Sequence, residues 1–335
     1  MIKRLLNIET KIRKGKTLLI LGPRQVGKTT LVENYLHNCG KKIIRFSGDM
    51  TGAQAIFSVH DLSHLQPHVA GADILFIDEA QEIPNIGKSL KIINDHLPKI
   101  AVIATGSSSF ELNNQVGEPL VGRATTEFLY PLSLMEVLSA SADTTQATRW
   151  QRLKNTLLVH GLYPDSFLAE SAAQKQDYLS ELSGQLLLKD ILQYQEVKGS
   201  RVLMNLLVLL AHQIGGEVSM EELGRNLGIN KNTVARYLDL LEKSFIIFRL
   251  GGFSRDLRNE ITKKAKYFFY DTGIRNAVIN NFNPLELRDD AGKLWENFVI
   301  AERMKSRAYA GVHASQYFWR TWKQDEIDLV EERVG

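Results

Sequence analysis

The chain has 335 residues, of which 44% are hydrophobic and 24% charged, and its formal net charge is +3. This composition is typical of a soluble globular protein and predicts two or three domains. The small net charge excludes a chain that is basic throughout, so a nucleic-acid-binding surface would be a local patch. The single cysteine, Cys39, excludes an intramolecular disulfide. No signal peptide and no membrane-length apolar run is present, which predicts a cytoplasmic protein without membrane contact.

The first 14 residues mix apolar and basic side chains and predict a short amphipathic helix. A short apolar strand follows at residues 18–21, and the next eight residues fit G-x-x-x-x-G-K-[ST] without a mismatch. These eight are Gly22, Pro23, Arg24, Gln25, Val26, Gly27, Lys28 and Thr29, and Thr30 continues into a predicted helix. Glycine permits close backbone approach, and N–H groups at a helix start bind phosphate. We therefore predict an ATP site in which Lys28 contacts the β- and γ-phosphates and Thr29 ligates Mg²⁺.

A second apolar strand, at residues 74–77, ends in Asp78 and Glu79. This is a Walker B pattern, in which Asp78 would hold Mg²⁺ beside Thr29. Glu79 would then polarise the attacking water. A solvated strand end is the alternative, and the phosphate loop upstream favours the catalytic interpretation.

A third apolar strand, within residues 99–109, ends in small polar residues. In a sheet built around the phosphate loop, this strand should lie next to the Walker strand. Thr105, Ser107 or Ser108 would then contact the γ-phosphate or the attacking water, and we take Ser107 as the candidate. A Gly-Ser turn without a catalytic role is the alternative.

Arg123 is the candidate arginine finger, because a cation at the γ-phosphate favours phosphoryl transfer. An ordinary surface arginine is the other interpretation, and the sequence does not say whether Arg123 would act on its own chain or on a second copy. The four catalytic candidates are therefore Glu79, Lys28, Arg123 and Ser107.

Residues 201–252 carry a winged helix-turn-helix pattern. Ser219 and Glu222 form a capping box, residues 228–230 form the turn, and residues 245–250 form an apolar wing strand. The second helix is predicted to present to solvent Lys231, Asn232, Thr233, Arg236 and Tyr237. These side chains suit the phosphates and bases of double-stranded DNA. A contact with a protein partner, or within the chain, is the alternative that the sequence leaves open.

The segment 253–266 has a local charge of +3, because five basic residues face two acidic ones. The basic residues are Arg255, Arg258, Lys263, Lys264 and Lys266. The segment either tracks phosphates or forms an ordinary solvated strand pair.

Several motifs resemble those of one family. They are GPRQVGKTT at Gly22, LFIDEAQ at Leu75, TGSS at Thr105, LVGR at Leu120, YPLSLMEV at Tyr130, GLYP at Gly161, TVARYLDLLEKSFII at Thr233, YFFYDTGIRN at Tyr267, GKLWENFV at Gly292 and FWRTWKQDEIDLV at Phe318. Together they resemble a bacterial and archaeal family of AAA-like P-loop ATPases of poorly defined function. Its members carry a winged helix and a C-terminal domain related to PD-(D/E)XK nucleases.

The resemblance implies a nuclease-type metal site with Glu296 from a helix, Asp328 from a strand and an E-x-K on the next strand. The E-x-K motif is absent before the sequence ends at Gly335. We therefore expect no nuclease activity from this chain, and a structural role is the alternative for Glu296 and Asp328.

The sequence as a whole predicts an α/β fold, with a P-loop NTPase parallel sheet core, a helical lid, a winged helix-turn-helix and an incomplete α/β C-terminal domain. The predicted boundaries are 1–138, 139–200, 201–252 and 253–335. The predicted function is Mg²⁺-dependent ATP binding and hydrolysis that switches the winged-helix module. The alternative is a DNA-binding regulator in which the nucleotide is a structural ligand. The absence of an N-K-x-D motif favours ATP over GTP.

Overall fold

The computed structural model describes residues 2–107, 120–140, 145–190, 200–253, 265–321 and 325–333, without the side chains of residues 185–190. Ser108 and the basic residues Arg255, Arg258, Lys263 and Lys264 lie outside these ranges. The chain divides into two compact units, an N-terminal unit of residues 4–130 and a C-terminal unit of residues 131–335 with residues 1–3. The boundaries predicted at residues 138, 200 and 252 stay predictions.

The N-terminal unit is built on a parallel five-stranded sheet in the order β2-β3-β4-β1-β5. All residues of β1 and β4 are buried, as expected for central strands of a parallel sheet. The strands are β1 (Thr17–Leu21), β2 (Ile43–Ser47), β3 (Ile74–Asp78), β4 (Ala101–Gly106) and β5 (Ala124–Phe128). The helices are α1 (Lys28–Asn38), α2 (Thr51–Phe57), α3 (Leu62–Val69) and α4 (Ile86–His96).

The strand register brings the predicted motifs to one edge of this sheet. Strand β4 pairs with β1 on one side and with β3 on the other, so it lies next to the Walker strand as predicted. Leu21 pairs with Gly106, and Ile77 pairs with Ala104. Because the carboxyl ends of parallel strands meet at one edge, the phosphate loop and the Walker carboxylates emerge there together.

The short helix predicted within residues 1–14 is wrong, because residues 2–14 form turns and no helix. Leu6 and Ile8 are both buried, and their spacing of two residues is that of an extended segment rather than a helix face. The amides of Lys11 and Ile12 both donate to the carbonyl of Ile8, at 2.9 Å. A turn there directs the chain towards β1.

The C-terminal unit combines helices with a mixed five-stranded sheet in the order β10-β9-β7-β8-β6. The strands are β6 (Glu217–Val218), β7 (Ile247–Gly252), β8 (Ala265–Phe269), β9 (Ala314–Arg320) and β10 (Glu326–Arg333). The helices are α5 (Leu134–Ser139), α6 (Gln146–His160), α7 (Pro164–Leu168), α8 (Ala172–Asp190), α9 (Ser200–His212), α10 (Met220–Leu227), α11 (Lys231–Lys243), α12 (Thr272–Val278) and α13 (Ala291–Ala310). Pairing is antiparallel except between β7 and β9. No helix among the described residues has the apolar length needed to cross a bilayer.

Buried polar side chains join the helices of this unit to its strands. Asp271, which caps α12, accepts hydrogen bonds from the amides of Leu162 at 2.6 Å and Ile274 at 3.2 Å. Asn297 on α13 bonds both backbone groups of Phe269 at 2.8 Å, so it extends the hydrogen bonding of β8. The GLYP, YFFYDTGIRN and GKLWENFV motifs thus meet inside the unit, and these contacts are structural.

Arg275 anchors a second part of the same core and is almost fully buried. Its guanidinium donates twice to the carbonyl of Ala211, at 2.9 and 2.6 Å, and pairs with Asp290. Arg288 also pairs with Asp290, at 2.8 Å. Burial raises the pKa of Asp290, but its hydrogen bonds to Arg288 and Arg275 outweigh this and hold the pKa at about 2.

We predict that Gly161→Ala strongly destabilises the C-terminal unit. Gly161 has φ 68° and ψ −159°, a conformation essentially reserved for glycine, and an added Cβ would lie 2.0 Å from Oδ1 of Asp271. Strain and overpacking together should lower the free energy of unfolding by about 2–5 kcal/mol. Chemical denaturation of the whole chain measures this loss.

Gly292→Ala is the matched control, because an added Cβ at this helical position meets no atom within 4 Å. It should leave stability unchanged or raise it by about 0.5–1 kcal/mol. Equal unfolding free energies for the two variants would contradict the packing described around Asp271.

Candidate functional site

The candidate site begins where β1 ends and the chain turns into α1. Gly22 has φ 154°, and a Cβ there would lie 2.0 Å from the carbonyl oxygen of Leu129, so only glycine fits. Gly27 has φ 88° and is the N-cap of α1, whose first backbone bond runs from Leu31 N–H to the Gly27 carbonyl at 2.9 Å. The loop therefore delivers its amides to a helix N-terminus, as anion binding requires.

The remaining predicted loop residues differ in exposure. Pro23 and Val26 are buried, Arg24 is half-buried, and Gln25 is exposed with a left-handed φ of 61°. Thr30 is exposed in the first turn of α1. The loop thus buries Pro23 and Val26 and exposes Gln25.

Lys28 extends along the inside of this loop, and only 5% of it is exposed. Its ammonium donates to the carbonyls of Gly22 at 2.9 Å and Pro23 at 2.8 Å. A lysine held over the loop backbone lies where a phosphate chain would bind, and it can exchange these carbonyls for phosphate oxygens.

Thr29 and Asp78, the two predicted Mg²⁺ ligands, are in direct contact although 49 residues separate them. The Thr29 hydroxyl lies 2.9 Å from Oδ2 and 3.1 Å from Oδ1 of Asp78. A hydroxyl and a carboxylate are hard oxygen ligands, and Mg²⁺ in nucleotide sites takes one or two carboxylates, waters and phosphate oxygens. The residues present therefore fit this ion. The described residues contain no group of three or more His, Cys, Asp or Glu suited to hold a metal alone.

Thr105, which lies on β4, contacts the Asp78 carboxylate and the backbone at Glu79. It is fully buried, and its hydroxyl donates to Asp78 while accepting from the backbone N–H of Glu79 at 3.0 Å. Glu79 itself has φ 46° and ψ 48°. Thr105 thus fixes the direction in which the chain turns at the two carboxylates.

Gln81 is a site residue that our sequence reasoning missed. Its amide donates to the Glu79 carboxylate and to the Ser107 hydroxyl, the latter at 3.1 Å. Ser107 therefore reaches Glu79 through Gln81, and Ser107 and Gln81 are both at least 96% buried. The only sequence signal is an amide two residues after the Walker glutamate.

Gly48, after β2, makes room for the turn at Glu79. A Cβ at Gly48 would lie 2.2 Å from the Glu79 carbonyl oxygen. The Gly48 amide also donates to the carbonyl of Asp78, at 2.8 Å. The neighbouring strand thereby holds the Walker turn from its other side.

Arg123 lies away from the phosphate loop of its own chain. It precedes β5, whose first residue pairs with Thr17, so it lies at the amino edge of the sheet, opposite the phosphate loop. Its guanidinium is 2.5 Å from Asp95, and this hydrogen bond holds the pKa of the Asp95 carboxyl below its ordinary value. Action on a second copy of the chain stays a prediction.

Comparison with known proteins agrees with this geometry. Residues 14–138 match the model of a family described as AAA domain. The N-terminal unit is therefore similar to AAA domains. Residues 151–285 and 291–335 match two further models, each described as a domain of unknown function.

Chains similar to this one occur in bacteria and archaea. An uncharacterized protein of Mycobacterium tuberculosis is 27% identical over 331 residues, covering 97% of this chain and 69% of that protein. One of Haemophilus influenzae is 25% identical, covering 87% of this chain and 75% of that protein. One of Methanocaldococcus jannaschii is 24% identical, covering 79% of this chain and 63% of that protein. A crystal structure of a DNA replication initiation factor covers 68% of this chain and 83% of that one, at 14% identity. Its TM-score of 0.29 is too low to support an argument.

The exposed side chains of helix α11 differ from the prediction at one position. Lys231, Asn232 and Arg236 are exposed, and Thr233 is half-buried beside its cap, Asn230. Tyr237, predicted to face solvent, is only 2% exposed and belongs to the core, because it lies three residues after buried Val234 on the inner helix face.

The predicted nuclease-type carboxylates surround a lysine. Lys266 on β8 is buried, and its ammonium lies 3.1 Å from Glu296, in contact with Glu326, and 4.0 Å from Asp328. Burial alone would lower the pKa of Lys266, but hydrogen bonds to Glu326 and Glu296 outweigh this and raise it. The ammonium thus balances part of the negative charge of these carboxylates. The expectation of no nuclease activity stays a prediction.

We predict that Lys266→Met lowers the free energy of unfolding by about 2–4 kcal/mol at neutral pH, because it leaves buried carboxylate without its cation. The partly exposed Glu326 and Asp328 keep the cost below that of a fully buried pair. Burial already raises the pKa of Glu296 above 4.5, so stability falls as pH rises through the window above 4.5. Without Lys266, the free energy of unfolding should fall more steeply as the pH rises through this window.

Denaturation at several pH values tests this, with Lys243→Met as the control. Lys243 pairs with Asp239 on an exposed helix face, so its loss should cost at most about 1 kcal/mol at any pH. A Lys266→Met penalty that does not shrink towards pH 4 would refute the electrostatic explanation.

Proposed function

We propose that the AAA-like unit binds ATP with Mg²⁺ and hydrolyses it in the cytoplasm. The observation that carries the proposal is the contact between the Thr29 hydroxyl and the Asp78 carboxylate, at 2.9 Å. Two predicted ion ligands from distant parts of the chain meet at the start of α1. The absence of an N-K-x-D motif in the sequence favours ATP over GTP.

The proposed roles follow from the local chemistry. Lys28 and the loop amides bind the β- and γ-phosphates. Thr29 and Asp78 hold Mg²⁺, which neutralises phosphate charge when bound. Glu79 accepts a hydrogen bond from the attacking water and polarises it. Thr105 positions the Walker turn through its contacts with Asp78 and the Glu79 amide.

We further propose that residues 201–252 act as a winged helix whose partner is double-stranded DNA. The element order α9, β6, α10, α11, β7, β8 supports this interpretation, as does the three-stranded antiparallel order β7-β8-β6. Lys231 and Arg236 on α11 provide positive charge for phosphates, and Asn232 provides donors and acceptors for base edges. Hydrolysis would then switch the placement of this module. A DNA-binding regulator with the nucleotide as a structural ligand is the second candidate.

Phosphate release from Mg·ATP, with and without duplex DNA, tests the enzymatic proposal. Glu79→Gln should reduce turnover by at least about tenfold while leaving ATP binding intact, because it removes the base and keeps the shape. Glu33→Gln is the matched control, since Glu33 pairs with Arg45 on an exposed helix surface. Equal turnover in wild type and Glu79→Gln would refute the assignment of Glu79. Tight ATP binding without turnover in wild type would favour the regulator.

Fluorescence anisotropy with labelled duplex DNA tests the second module. Lys231→Ala and Arg236→Ala should each weaken DNA binding by about the same factor for every DNA sequence. Each should also reduce the slope of the logarithm of the binding constant against the logarithm of salt concentration by about 1. Lys243→Ala, at the far end of α11, should leave the slope unchanged. If all three variants bind DNA with the affinity of wild type, a protein partner for this helix is favoured.

A further inference from the structure

We infer that Arg4 is a positioning residue of the nucleotide site, and that its guanidinium holds the phosphate loop in the shape that receives phosphate. The inference rests on the proposed ATP binding by the AAA-like unit. Arg4 lies outside every motif considered in the sequence, within the N-terminal segment predicted to be helical. The turns of that segment bring it to the loop instead.

The guanidinium joins two distant parts of the unit. Nη1 donates to the carbonyl of Val26 at 2.7 Å, and Nη2 donates to the carbonyl of Tyr130 at 2.6 Å. Val26 is in the phosphate loop, and Tyr130 follows β5 at the edge where that loop emerges. Arg4 is half-buried, so these charge-assisted bonds are partly shielded from water.

The bond to Val26 fixes a peptide plane that the site uses. A trans peptide directs its carbonyl and its N–H to opposite sides, and no cis peptide occurs among the described residues. With the Val26 carbonyl held by Arg4, the N–H of Gly27 points away from the guanidinium. Amides of a phosphate loop bind the anion on the side opposite their outward carbonyls.

Gly27 cannot hold this orientation by itself. It has no side chain and a φ of 88°, so its own backbone permits several directions for the peptide. An added Cβ on Gly27 would lie 3.9 Å from Nη1 of Arg4, which places the guanidinium beside the glycine. The rigidity that the loop lacks thus comes from an arginine 22 residues upstream of Val26.

The side chain must be arginine for this purpose. Its planar fork presents two nitrogens in a fixed geometry, so one group can reach both carbonyls at once. A lysine ammonium keeps the charge but is a point donor on a flexible stem. We therefore expect Arg4→Lys to recover only part of what Arg4→Met loses.

The test measures equilibrium binding of a fluorescent Mg·ATP analogue, with turnover and denaturant stability, in wild type, Arg4→Met and Arg4→Lys. Arg4→Met should weaken nucleotide binding about tenfold or more, as expected when one bond to a charged group is lost. Turnover at saturating nucleotide should fall less than affinity, because Arg4 touches no reacting atom. Arg13→Met, an exposed arginine of the same segment, should bind like wild type.

Guanidinium rescue separates positioning from general stability. Arg4→Ala should regain nucleotide affinity when methylguanidinium is added below denaturing concentrations, and Arg13→Ala should not respond. An Arg4→Met protein that binds nucleotide like wild type would overturn the inference while leaving the proposed function intact. So would a loss of affinity that Arg4→Lys restores completely, since charge alone would then suffice. A wild-type chain that binds no nucleotide would instead refute the proposed function.

Discussion

The hydrogen-bonded ladder that places β4 between β1 and β3 is the constraint on which the candidate site depends. The three strands run parallel and pair up to their carboxyl ends, so three chain segments far apart in sequence turn at one edge. The phosphate loop leaves β1, the two carboxylates leave β3, and Thr105 comes from the strand between them. The contact between Thr29 and Asp78 follows from this order, and so does the link from Thr105 to the Walker turn.

The same edge also concentrates unusual backbone geometry. Gly22 and Gly48 each lie where a Cβ would collide with a neighbouring carbonyl, and Glu79 has a left-handed φ. A non-glycine residue in that region costs energy that the surroundings must offset. Here the hydrogen bond from the Glu79 amide to Thr105 provides such support.

The C-terminal unit shows how buried charge organises a fold. Each buried cation in its core has a carboxylate or a carbonyl beside it, as with Arg275 against Asp290 and Ala211, because an unpaired buried charge would cost several kcal/mol. Asp271 and Asn297 complete backbone hydrogen bonding in the same way. The YFFYDTGIRN and GKLWENFV motifs therefore maintain this scaffold, and Lys266 is a further buried cation paired with carboxylates.

The sequence by itself determined the features that depend on neighbouring residues. The phosphate loop between strand and helix, the Walker strand ending in Asp78, and the Ser219 cap of α10 are local patterns with local causes. Only the tertiary structure decided which distant groups meet. It placed Arg123 at the opposite edge of the sheet, Tyr237 in the core, Lys266 among the carboxylates and Arg4 against the loop. These outcomes depend on strand order and on chain turns, and no periodicity within a segment encodes them. Gln81 is another example. Its hydrogen bond to Ser107 exists because β3 and β4 pair, and the position of Gln81 in the sequence does not indicate that contact.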